Sequence, residues 1–556
     1  MEQTLFLFKS AQLLKMQASP IIFKEPITGG IMSIQYKNLD ALESYEALQA
    51  RSEDVKQNAL LNPEGIKKAN INAGGGLKYN YAAKRVDEKL IDQLQTLADD
   101  QQLIEKYKDL LAGSFINTGE NRMVLHHLTR GELAGTVMYK GKNQREFYLE
   151  QLKRIEAFVS RVHAGEIKGS TGKKFDTVVQ IGIGGSDLGP RALYLSLENV
   201  CTPVMNAAFI SNVDPDDANA VIAALDLETT LFILVSKSGT TQETLANRNF
   251  VFEKSKQAGI SGLDPSKHMI AVTSETSPLA GSSDVLDSFY MDDFIGGRYS
   301  CTSAVGGAVL SLAFGYSVFD DILQGAAEAD KLALNGDIRS NASMMDAMLG
   351  IFERNVLGYP TTAVLPYSQA LSRFPAHLQQ MDMESNGKSV NRDAGDVNYA
   401  TGPIIFGEPG TNGQHSFYQL LHQGTDIVPL QFIGFLDSQI DSDLDYEGST
   451  SQQKLKANLV AQIVAFAKGS PDNNANKNFK GGRPSSVIIG KQLNAKALGA
   501  LLAHFENKVM FQGFIWNLNS FDQEGVQLGK KLAGQVLAGG DDMDTALKTF
   551  SEILDI

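Results

Sequence analysis

Two stretches of the chain set a proton-transfer side chain among small polar neighbours. Gln379–Lys388 reads Q-Q-M-D-M-E-S-N-G-K, and Gly407–Gln423 reads G-E-P-G-T-N-G-Q-H-S-F-Y-Q-L-L-H-Q. Glu384 is the candidate in the first and His415 in the second. A carboxylate can remove a carbon-bound proton when neighbours stabilise the anion left behind. An imidazole titrates near neutrality and can move a hydroxyl proton. This mixture suits a polar cleft better than an apolar core, although solvated loops carry such residues too.

A third stretch, Ser236-Lys237-Ser238-Gly239-Thr240-Thr241, packs hydroxyls and a lysine into one turn at the start of a helix. Hydroxyls and backbone N–H groups can wrap the oxygens of a phosphate, while Lys237 and the helix dipole favour its charge. A single hydroxyl would serve as an ordinary N-cap; this many, with a lysine, point to an anion. In Gly296-Gly297-Arg298 the glycines let the backbone come close to a ligand, so Arg298 can reach one. Pairing of Arg298 with the preceding Asp292-Asp293 is an equal alternative. The run Ile515–Lys531 ends in Lys530-Lys531, which on residue types alone is a solvated helix end.

The elements that must position these groups alternate. Thr177–Ile183 is a buried strand running into Gly184-Gly185-Ser186-Asp187-Leu188-Gly189-Pro190, and a helix follows from Arg191. Leu231–Val235 is a strand leading into the hydroxyl-rich turn, and Met269–Thr273 is a third. In the second half, strands fall at Thr361–Leu365, Ile427–Phe435 and Ser486–Ile489, with helices at Met344–Arg354, Lys454–Lys468 and Lys496–Glu506. Strand, turn and helix in that order present backbone N–H groups to an anion. Their repetition predicts an α/β fold with mostly parallel sheets flanked by helices. Residues 33–110 read as helix-rich, with Ile91, Leu94 and Leu97 on one buried face and Gly74-Gly75-Gly76 as a break in the helical pattern.

Composition narrows the function classes. The 556 residues are 43% hydrophobic, enough to bury a large core. A net charge of −14 disfavours nucleic acid and anionic membranes as partners. No apolar run approaches the length of a membrane span. Two cysteines allow no disulfide framework and predict a reducing compartment, the cytoplasm. No His or Cys spacing suggests a metal site, and adjacent His126 and His127 read as structural. There is no phosphate-binding G-x-x-x-x-G-K-[ST] loop and no complete dinucleotide fingerprint, so no cofactor is expected.

Six motifs, in order, resemble the glucose-6-phosphate isomerase family. They are G-I-G-G-S-x-L-G-P at Gly182–Pro190, S-K-[ST]-x-T-T-Q-E-T at Ser236–Thr244, and G-G-R-Y-S at Gly296–Ser300. Q-Q-x-D-M-E-S-N-G-K at Gln379–Lys388, the run at Gly407–Gly424, and N-S-F-D-Q-x-G-V-x-L-G-K at Asn519–Lys530 complete the set. The resemblance implies two sugar-isomerase (SIS-type) domains, at 146–315 and 316–556. A helical segment at 32–145 precedes them, after an N-terminal extension at 1–31. It implies reversible conversion of glucose 6-phosphate to fructose 6-phosphate through a cis-enediolate, without metal or nucleotide, by a homodimer. By the same resemblance, Glu384 moves a proton between C1 and C2, and Arg298 faces the enediolate. Lys530 assists at the ring oxygen. His415, supplied across the subunit boundary, helps open the ring. Ser236, Lys237, Ser238 and Thr241 hold the phosphate; Gly185, Ser186, Gly297, Gln380 and Gln523 complete the sugar site.

The sequence departs from the family's common pattern at Ser238-Gly239, Met381, Cys301-Thr302 and Glu524. None of these is a catalytic group; they bear on pocket width and substrate preference. Two alternatives remain. One is a non-catalytic sugar-phosphate-binding regulator, which would not need Glu384, His415 and Lys530 together. The other is an isomerase preferring mannose 6-phosphate or an amino sugar. A glutamine-dependent amino-sugar synthase would need a Cys after Met1, where this chain has Glu2.

Overall fold

The apolar run Thr230–Val235 is a strand buried at every position, as a strand covered by helices on both faces must be. It lies at the centre of a five-stranded, wholly parallel sheet. The strand order is Asn206–Ile210, Thr177–Ile181, Thr230–Val235, Met269–Thr273, Ser288–Tyr290. Val179 pairs in register with Phe232, and Ile233 with Ile270. The chain leaves Thr177–Ile181 in one lateral direction and crosses to Thr230–Val235 on its other side. The C-terminal ends of these two strands therefore flank a switch point, where open parallel sheets hold ligands. The turns at 182–190 and 236–241 are those two ends.

A second sheet has six strands. Ser485–Gly490, Leu430–Phe435, Thr361–Pro366 and Ile404–Phe406 are parallel neighbours. An antiparallel hairpin, Asn70–Gly74 and Leu77–Asn80, joins the Ser485–Gly490 edge. This hairpin corrects the reading of 33–110 as helical around its glycines. Gly74, Gly75 and Gly76 have φ of 85°, 57° and 78°, the left-handed values of a tight turn between strands. Further along, Ile91, Leu94 and Leu97 do share the buried face of a helix, Glu88–Asp100. Asp87 caps it by accepting the Leu90 N–H at 2.8 Å.

Helices fill the space around the sheets. Ala495–Ile515 is buried along nearly its whole length and runs nine residues beyond the expected end at Glu506. It packs along Tyr316–Leu332 and Ala342–Ile351. Ala304–Phe314 is buried at every position. A helix without a polar face has no change of periodicity to mark its end, so this extent was not readable from pattern.

The computed structural model describes residues 33–52, 55, 60–131, 133, 135–540 and 543–556, so the expected extension at 1–31 lies outside the described residues. Gln35–Ile556 form one compact unit. Among the described residues no helix is long and apolar enough to cross a membrane. His126 and His127 lie buried in a short turn, and burial lowers both imidazoles, His127 to about 3.

Candidate active site

The first sheet supplies two turns that face each other across the switch point. In one, Gly184–Ser186 make a single helical turn ahead of the helix Leu188–Leu197. A Cβ on Gly185 would collide with the Gly297 carbonyl and reach within 2.7 Å of the Arg298 nitrogen. Only glycine lets these two loops close on each other. In the other, Ser236 Oγ lies 3.0 Å from Thr241 Oγ1 and accepts the Gly239 N–H at 3.1 Å. Ser238 Oγ accepts from the Thr240 N–H at 3.2 Å and hydroxyl at 2.9 Å. The Thr241 side chain makes no capping bond to the helix Gln242–Gln257 that it precedes.

Lys237 closes this turn. Its ammonium donates to the Ile295 carbonyl at 3.4 Å and sits 3.8 Å from Asp293. Burial pushes it below the ordinary lysine range, against the opposing pull of Asp293. A lysine held by two long contacts at a hydroxyl-rich helix start has capacity left for an anion.

The opposite wall comes from the second half of the chain. The helix Phe374–Gln379 continues into a π-helical turn, Gln380–Glu384, whose last residue is Glu384. Such turns recur where a helix must aim a side chain off its regular path. Glu384 Oε2 lies 3.6 Å from Arg298 Nη1. Arg298 is 2% exposed. Its Nε donates to Ser385 Oγ at 2.7 Å, and Nη2 donates to the Ser520 and Asp522 carbonyls at 2.6 and 2.9 Å. These bonds replace the alternative pairing with Asp292-Asp293. Asp292 instead accepts from the Tyr148 hydroxyl at 2.7 Å, and burial raises its carboxyl to about 6. Asp293 faces Arg122 and Lys237.

Between the walls lies a cleft of about 1500 Å³. Its lining includes Gly185, Ser186, Ser236, Lys237, Ser238, Thr241, Gly297, Gln380, Glu384, Gln523 and Lys530. Thus residues separated by almost 350 positions in sequence share one polar space. Arg298 stands behind this lining and reaches it through Glu384. His415 does not join it: it is exposed on the short turn Asn412–His415. Sequence reasoning missed the groups that hold Arg298, namely Ser385 and the carbonyls of Ser520 and Asp522. Ser385 and the N-S-F-D segment lie inside quoted motifs, but no spacing indicates that they meet an arginine more than 80 residues away. Asp293, the counter-charge of Lys237, was also missed.

A hydroxyl-and-lysine anion cradle facing a carboxylate backed by a buried arginine, on a parallel α/β frame, defines a sugar-phosphate isomerase of the aldose–ketose class. The chain belongs to the phosphoglucose isomerase family, whose model matches residues 80–549. It is 62% identical over 529 residues to the glucose-6-phosphate isomerase of Treponema denticola, covering 94% of this chain and 100% of that one. It is 49% identical to the Borreliella burgdorferi glucose-6-phosphate isomerase, over 93% of this chain and 99% of that one. A solved glucose-6-phosphate isomerase from Chlamydia trachomatis superposes with a TM-score of 0.87 at 44% identity, covering 93% of this chain and 100% of that structure.

Proposed function

We propose that the chain interconverts glucose 6-phosphate and fructose 6-phosphate, with Glu384 as the base that carries hydrogen between C2 and C1. The observation that carries this reading is that Glu384 and the Ser236–Thr241 turn line the same cleft. The phosphate sits in the turn, held by Lys237, the hydroxyls of Ser236, Ser238 and Thr241, and the helix start. Gly185, Ser186, Gly297, Gln380 and Gln523 line the sugar.

In the open chain of the aldose, Glu384 takes the proton from C2. The C1 carbonyl oxygen becomes the enediolate oxygen and gains a proton, while the C2 hydroxyl loses one. Glu384 then returns its proton to C1, and C2 is left as the ketone. Every atom and electron of the sugar is conserved. Arg298, fixed by its bonds to Ser385 and to the Ser520 and Asp522 carbonyls, offers a preorganised positive charge beside the enediolate. Lys530, which lines the cleft, assists at the ring oxygen during opening.

His415 is assigned to ring opening in the cleft of a second copy, so that each site is completed by the partner's His415. Its exposed position outside the cleft of its own chain supports this reading. The active assembly is then a homodimer. The two domains are taken as 146–315 and 316–556, with 32–145 packed on the second. In support, all five strands of the first sheet fall within 177–290, and the hairpin at 70–80 extends the second sheet. Cytoplasmic location is proposed with it; Cys201 and Cys301 are both free thiols.

The test is a coupled assay of purified protein with glucose 6-phosphate and mannose 6-phosphate side by side. Turnover of glucose 6-phosphate well above that of mannose 6-phosphate is expected. Binding of both without turnover would favour the regulator, and faster mannose 6-phosphate turnover the alternative substrate.

A further inference from the structure

Beneath the turn that carries Glu384 is a small chamber of about 20 Å³, lined by Asp382 of that turn and by charged side chains from three other stretches, at 84, 346–354 and 508. Lys84 is bonded to both oxygens of Glu353 at 2.9 Å. Lys508 lies 3.4 Å from Asp346 and donates to Gln431 at 3.0 Å. Asp346 also meets His504 at 3.1 Å and the Tyr79 hydroxyl at 3.1 Å. Although burial pushes the Asp346 carboxyl up, Lys508, His504 and Lys84 together hold it below the usual range. Arg354, at the outer wall, donates to the Thr401 carbonyl at 2.7 Å. Lys84, Lys508 and Arg354 thus share this space with three carboxylates; the lysines pair with Glu353 and Asp346, and Asp382 has no ion pair among the described residues.

Asp382 is 5% exposed, and its Oδ1 has no hydrogen-bond partner among the described residues. Gln512, 2% exposed on the Ala495–Ile515 helix, has an equally unpartnered Oε1 in the same chamber. A buried carboxylate with no direct ion pair and one oxygen left without a hydrogen bond is costly to keep charged. Burial accordingly raises its carboxyl to about 7, with Lys508 opposing and Asp346 adding to the rise. Both residues line this one space, which has room for a single water, and a water's two hydrogens satisfy two such acceptors.

We propose that Asp382 is a positioning residue for the isomerisation: it shares one water with Gln512, and this bridge fixes the π-helical turn that aims Glu384. The inference rests on Glu384 being the base. It assigns a task to the D in Q-Q-x-D-M-E, two residues before the base and lining the chamber rather than the cleft. The loss of the bridge lets the turn relax, and a small misplacement of a reacting group lowers turnover without altering the phosphate cradle.

Steady-state kinetics of the full chain against pH test this. Asp382→Ala and Gln512→Leu are each expected to lower kcat about 10-fold with KM within about twofold, because positioning acts on the reacting atoms. The double variant should be no worse than the poorer single by more than about twofold, since both remove one bridge. Asp382→Asn, neutral and of the same shape, should rescue kcat to within about threefold and keep it above pH about 7, where the wild-type carboxyl ionises. If Asp382→Asn falls as far as Asp382→Ala, charge is what matters and the proposal is overturned. It is overturned equally if Gln512→Leu leaves kcat unchanged, or if the variants lose only thermal stability. Should Asp382→Ala not fold, the Asn and Gln512→Leu results decide alone. Glu384→Gln is measured alongside: if it retains activity, the base assignment fails, an outcome separate from any result at the chamber.

Discussion

The two ends of the cleft hold charge in opposite ways. At the proposed phosphate end, Lys237 is partly exposed and lightly bonded, to the Ile295 carbonyl and Asp293, and it shares its turn with the hydroxyls of Ser236, Ser238, Thr240 and Thr241. At the reacting end, Arg298 is sealed from solvent and bonded to atoms 87, 222 and 224 residues away. The first arrangement can adapt to a tumbling dianion and let it go. The second cannot move without breaking several bonds at once, which is the condition for preorganised stabilisation of a short-lived anion. On the proposed roles, binding rests mainly on one turn, whereas the chemistry is built from distant parts of the chain.

That contrast can be broken by experiment, and the largest effect is expected at the rigid end. Arg298→Lys keeps the charge but cannot keep three directed bonds from a planar fork. It should lower kcat by about 10²–10³-fold with a modest change in KM. It should also lower the melting temperature, because the Ser520 and Asp522 carbonyls lose buried donors. Kinetics and thermal melts of the same preparation would read both; an unchanged kcat would mean that the buried guanidinium serves the fold alone.

At the adaptable end the effect should be smaller and of another kind. Lys237→Ala is expected to raise KM about 10-fold and to change kcat little, since the phosphate is held alike in ground and transition states. A matching loss in kcat would show that the anion cradle is as tightly coupled to the chemistry as Arg298, and the contrast would fail.

The smallest expected effect concerns the buried acids behind the reacting end. Burial lifts Asp382 and Glu506 to about 7 in the folded chain. A carboxyl with a raised folded pKa binds its proton more tightly folded than unfolded, so its contribution to stability falls as pH rises from about 4 to 7. Asp382→Asn removes that slope. Relative to wild type, the variant should gain on the order of 1–3 kcal/mol between pH 5 and 7 in denaturant unfolding. A constant difference across that range would mean that Asp382 is ionised throughout.

The same contrast explains what was legible in the sequence. The turn at Ser236–Thr241 and the helix after it were readable because the parts are adjacent: hydroxyls, a lysine and a following helix need no tertiary information. The strands at Thr230–Val235 and Met269–Thr273 were readable as short apolar runs. Arg298 was recognisable as a ligand-facing candidate but not separable from a surface ion pair, because its partners come from two distant segments, 384–385 and 520–522. The hairpin at 70–80 was hidden because three glycines break a helix and turn a hairpin equally well. The chamber under Asp382 left no local signal at all, since its walls come from residues 84 to 512.

The central claim is that one carboxylate carries hydrogen across two neighbouring carbons. The direct measurement is exchange of the C2 hydrogen of glucose 6-phosphate with deuterium from solvent, followed by NMR for wild type and Glu384→Gln at saturating substrate. Wild type should exchange and isomerise together, and the variant should bind the sugar phosphate with near-normal affinity while both rates fall by at least about 10²-fold. Exchange at the wild-type rate in Glu384→Gln would place the base elsewhere.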